Sequence, residues 1–115
     1  MANEYKDLIS HSNFGFPEEF TKVVNLELTN LEPWYILDPK QLADKMKGLR
    51  ERYPSRELIP FARRTDNDDV ACFEVGNEQK VFVIHDFASP GWEQHEVYET
   101  FWDWFRQAIE EMINF

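Results

Sequence analysis

Four groups of residues in this chain have the types that chemistry requires. Asp66-Asn67-Asp68-Asp69 is dense in carboxylate and amide oxygens and invites a calcium reading. An EF-hand loop opening at Asp66 needs a further oxygen ligand at its fifth position, glycine at its sixth and glutamate at its twelfth. The chain offers Val70, Ala71 and Asn77 there, so the motif fails. His85-Asp86 and His95-Glu96 could ligate zinc, but their spacing fits no compact zinc pattern, and a histidine among apolar strand residues more often has a structural partner. Cys72 lies in an apolar run with no activating base beside it, and packs best as a small apolar group. Paired carboxylates suit acid–base hydrolysis, yet in a chain this acidic they arise by chance. No catalytic set, metal or cofactor is expected.

What remains is charge. The 115 residues carry a formal charge of −10, from 12 basic and 22 acidic side chains. Residues 1–64 balance ten acids with ten bases, whereas Thr65 to Asp103 holds ten acids and one base, Lys80. Such a segment repels nucleic acid and anionic membrane and steers a basic partner toward itself. Its acids, gathered on one exposed side, could take the place of phosphate on a cationic protein. The candidate contacts are Asp66, Asp68 and Asp69 in one loop and Glu93, Glu96 and Glu99 before the last helix, with Trp92 as an aromatic anchor. The competing reading is a solvated acidic rim and a core tryptophan.

The elements that would position these residues centre on a meander from Leu58 to Phe87. Apolar bursts at Leu58–Ala62, Val70–Val75 and Val81–Phe87, rich in β-branched and aromatic residues, predict three strands. Gly76-Asn77-Glu78-Gln79 suits a hairpin connection, and Thr65 to Asp69 an exposed turn. Pro17 followed by Glu18 and Glu19 predicts a short helix to Asn25. Leu31 to Leu37 reads as one strand, with Pro33 at an edge and Trp34 and Ile36 on one face. Asp38-Pro39-Lys40-Gln41 has the pattern of a capping box, and Leu42, Met46, Leu49 and Tyr53 form the apolar stripe of the helix it opens, which Pro54 stops. After a turn at Ala88-Ser89-Pro90-Gly91, residues 92–99 read as an extended segment or an edge strand. Thr100 then caps a closing helix with Phe101, Trp104, Phe105, Ala108, Ile109 and Met112 on its apolar face. Residues 1–13 carry no firm signal and order is not expected of them; one helical turn over Glu4–Ser10 is the most they suggest. The sum is an α+β domain: a largely antiparallel sheet of four to six strands with about three helices packed to one side. Length fits one domain over residues 1–115.

In order, Pro17-Glu18-Glu19-Phe20, Leu58–Ala62 (LIPFA), Ala71–Val75 (ACFEV), Val81–Phe87 (VFVIHDF) and Val97–Phe105 (VYETFWDWF) resemble the SUKH superfamily over roughly residues 14–113. That domain occurs in the yeast regulator of cell-wall glucan synthesis and in many bacterial proteins. Where the family often has Asn-Gly-Gly after the first helix, this chain has Asn25-Leu26-Glu27. The resemblance implies a binding scaffold without a shared catalytic set. It also implies an immunity protein that neutralises a cognate toxin, frequently a nuclease, or else an intracellular adaptor with an endogenous partner. The lone cysteine and the absence of a leader-like or membrane-spanning apolar run suggest a cytoplasmic protein, a monomer or weak homodimer that binds neither nucleic acid nor membrane.

Overall fold

A meander of consecutive antiparallel strands forms the frame in a computed structural model that describes residues 4–5 and 14–115. The helices are α1 (Glu18–Asn25), α2 (Pro39–Arg52) and α3 (Phe101–Asn114). The strands are β1 (Asn30–Leu31), β2 (Trp34–Ile36), β3 (Leu58–Arg64), β4 (Asp69–Glu74), β5 (Val81–His85) and β6 (Gln94–Tyr98), hydrogen-bonded in that order. The chain is thus an α+β domain with a six-stranded antiparallel sheet. The helical turn weighed for Glu4–Ser10, and the order of residues 1–13, fall outside the described residues except at Glu4 and Tyr5. Tyr5 is buried and donates its hydroxyl to the Leu37 carbonyl at 2.7 Å.

The segment Leu31–Leu37 is a correction. It is a hairpin of two short strands, with Leu31 opposite Trp34 and the turn at Glu32 and a cis Pro33. Proline has no N–H to give a ladder, so it sits where the ladder is interrupted. Trp34 and Ile36 do share a buried face, with Tyr35 turned the other way.

Alternation along the strands splits the core between the faces of the sheet. Ile59, Phe61, Ala71, Phe73, Val81 and Val83 join the larger cluster with α1 and α3. There Phe61 and Phe73 stack at 4.4 Å and Trp104 meets Phe61 edge-on at 4.9 Å. Trp104 Nε1 is buried with no hydrogen-bond acceptor among the described residues. Leu58, Val70, Cys72 and Ile84 point to the opposite face and meet Leu49 and Tyr53 from the second half of α2. Leu42 and Met46, earlier on that helix, reach the larger cluster, so α2 closes both. Burial pushes the Cys72 thiol well above its ordinary pKa, as its place in the smaller cluster requires.

The capping box is present in full. Gln41 N–H donates to Asp38 Oδ1 at 2.8 Å, and Asp38 N–H donates back to Gln41 Oε1 at 2.9 Å. Asp38→Ala is expected to cost about 1 kcal/mol of stability, read as a lower urea midpoint at an unchanged slope.

Candidate functional site

Two loops meet at one end of the sheet, and both come from the acidic half of the chain. The β3–β4 loop holds Asp66 and Asp68; the β5–β6 loop runs from Asp86 to Glu93. Asp86 N–H donates to the Asp68 carbonyl at 3.0 Å, and His85 Nδ1 lies 2.9 Å from Asp69 Oδ1, so the loops are stitched together at their roots. That contact with Asp69 raises the His85 pKa above its ordinary value.

The β5–β6 loop is fastened at both ends by ion pairs. At its start, the Asp86 side chain is fully buried and accepts from Arg52 Nε and Nη2 at 2.7 and 2.8 Å, with Lys45 Nζ at 2.6 Å. Burial opposes the Asp86 charge, yet these donors outweigh it and hold the carboxyl below the usual range. Asp86 Oδ1 also accepts from the Phe87 N–H, and the Phe87 ring lies beneath the Arg52 guanidinium at 4.3 Å. At its end, Glu93 is 6% exposed; it accepts from Gly91 N–H at 2.7 Å and from Arg56 Nη1 at 3.0 Å, while the rest of that guanidinium grips Glu74. In the middle, Tyr53 donates its hydroxyl to the Ala88 carbonyl at 2.7 Å.

These ties hold a backbone that the residues would not choose alone. Phe87 sits at φ 68°, a left-handed conformation that costs an aromatic residue on the order of 1 kcal/mol or more, and Gly91 at φ 93° takes the turn that follows. The outcome is that Trp92 projects into solvent at 81% exposure, on a loop whose polar groups are satisfied from below.

Of the residues expected at a contact surface, Asp66, Asp68 and Trp92 are exposed on these loops, and Glu96 is exposed midway along β6. Asp66 is held by Arg64 through two hydrogen bonds of 2.8 and 2.9 Å, and Glu96 accepts from the Tyr98 hydroxyl at 2.7 Å. Glu99 is exposed but lies past the far end of β6, 3.9 Å from Lys80. Asp69 and Glu93 lie differently from the other expected contacts. Both are buried and engaged, by His85 and Arg56 respectively, so neither carboxylate is available to a partner. The acidic segment is also less bare than its sequence implies, because Lys45, Arg52, Arg56 and Arg64 reach over from the balanced half. Among the described residues, Asp68, Glu96 and Glu99 keep exposed carboxylates with no lysine or arginine at hydrogen-bond distance, whereas Asp66 is paired with Arg64. Lys45 and Arg52 are legible in the sequence as bases on the polar faces of α2, able to neutralise the acids, whereas no local motif marks Arg56 or Phe87.

Among the described residues no group of three histidine, cysteine or carboxylate side chains is placed to hold a metal ion, and no helix is long and apolar enough to cross a membrane. A groove of about 560 Å³ between Phe16, Glu19, Glu78 and Trp102 opens toward the opposite end of β5.

These observations define a class: an α+β domain in which an antiparallel meander, covered by helices, carries a braced loop at one end. The chain belongs to the SMI1 / KNR4 family (SUKH-1), whose model matches residues 3–107. No curated protein and no solved structure gives a significant match.

Proposed function

We propose that this chain is a cytoplasmic, non-enzymatic immunity protein that binds and neutralises a cognate toxin, a basic nuclease being the partner its charge suits. Family membership supports the reading, and the observation that carries it is Trp92. A soluble domain gains nothing for its own core from a tryptophan exposed at 81%, yet two ion-pair clusters and a left-handed Phe87 hold the loop that presents it. A rigid aromatic residue beside carboxylates is what an interface hot spot requires, because little ordering entropy is lost when the partner arrives. Asp68 and Glu96 are exposed carboxylates of the same two loop-bearing hairpins, and their negative charge favours encounter with a cationic surface.

Coexpression with the toxin domain encoded next to this gene tests the reading. Growth rescue and a co-purifying complex are expected; neither rescue nor complex would remove it. An adaptor for an endogenous protein is the second reading, favoured by the ion pairing that leaves the surface less acidic than the composition suggests. A gene with no toxin neighbour, and an endogenous protein captured through Trp92, would decide for it.

A further inference from the structure

We infer that the partner docks by adding a strand to the open edge of β6, and that this strand alternates basic and apolar residues. The inference rests on the partner-binding reading above and goes further by naming the docking mode. Among the described residues β6 pairs only with β5, so the backbone groups on its outer side have no strand there to bond. Gln94, His95, Glu96 and Val97 are all exposed, while Tyr98 is half-buried against the larger cluster and α3 touches the strand. The opposite edge is different: β1 has two residues, too few to template pairing. β6 has neither the proline nor the lysine that most strongly blunts an edge, and its blunting features are Glu96 and one bulge. Its register shift, which leaves His95 unpaired between Gln94 and Glu96, disturbs one end and leaves Glu96 to Tyr98 regular.

Charge selects the occupant. A second copy of the chain, paired antiparallel about the strand centre, sets Glu96 opposite Glu96, and like charges directly opposed are destabilising. An incoming strand with lysine or arginine opposite Glu96 and an apolar residue opposite Val97, exposed at 47%, satisfies both faces.

The test is amide hydrogen exchange of the free protein and of its complex with the toxin domain encoded beside the gene. Amides of β6 are expected to slow at least tenfold in the complex, and Glu96→Lys combined with Glu99→Lys to weaken the complex at least tenfold at an unchanged thermal midpoint. A complex that leaves β6 exchange unaltered overturns the strand-addition mode while the partner reading stands. Absence of any complex overturns both. Protection of β6 that grows with the concentration of the free protein assigns the edge to a second copy and overturns the basic-strand occupant.

Discussion

Replacing Asp86 with alanine is expected to lower the unfolding free energy at neutral pH by about 3 kcal/mol or more, because the change strands two cations beside a buried position. The Asp86 side chain is fully buried, and Lys45 and Arg52 are themselves 15% and 29% exposed, so water cannot replace the carboxylate well. For a domain of this size the loss corresponds to a fall of roughly 10 °C in Tm. The effect has a definite pH dependence. Lys45 and Arg52 hold the folded carboxyl below its ordinary range, so its stabilisation is complete above the unfolded carboxylate pKa, about 4. It fades as pH falls through the lower, folded value. Thermal unfolding of both proteins from pH 7 to pH 3 should therefore show the gap narrowing only at the acid end. An equal gap at every pH would mean that lost packing, rather than lost charge, accounts for the damage.

Trp92→Ala separates recognition from stability. With 81% of its surface in solvent, the indole contributes little to folding, and the unfolding midpoint should move by no more than a change of about 0.5 kcal/mol. Affinity for the toxin should fall about 30-fold or more, the 2 kcal/mol or greater that defines a central aromatic hot spot. Most of that loss should appear in the dissociation rate, since the carboxylates that steer encounter are untouched. Surface plasmon resonance on the complex measures both rates. Unchanged affinity in this variant would take Trp92 out of the interface and with it the reason for bracing the loop.

Much of the fold was legible because its signals are local. Alternation marks β3, β4 and β5, the Asp38 box marks α2, and Thr100 accepts from Asp103 N–H at 3.1 Å where α3 was expected to begin. Pro33 misled because proline is compatible with both a strand edge and a turn, and only the pairing of Leu31 with Trp34 decides between them. The site was legible in part. A run of acids is visible in sequence, but whether each meets a base is a question of tertiary distance. Arg56 lies 18 residues from Glu74 and 37 from Glu93, and nothing in the spacing joins the three. Exposure of Trp92 was likewise undetermined, since a tryptophan near a turn serves a core as readily as an interface.

The strand order has a kinetic consequence. Every ladder joins neighbours in the chain, and only α2 separates β2 from β3, so the sheet closes short loops and incurs little loop entropy. One of the three helices that cover it, α3, comes last. Glu111 of α3 must return 77 residues to accept from the Trp34 indole at 2.7 Å, and Trp104 must come back to the same ring. Assembly can thus run progressively from one end of the polypeptide, with the aromatic centre left open to solvent until that final segment arrives to seal it.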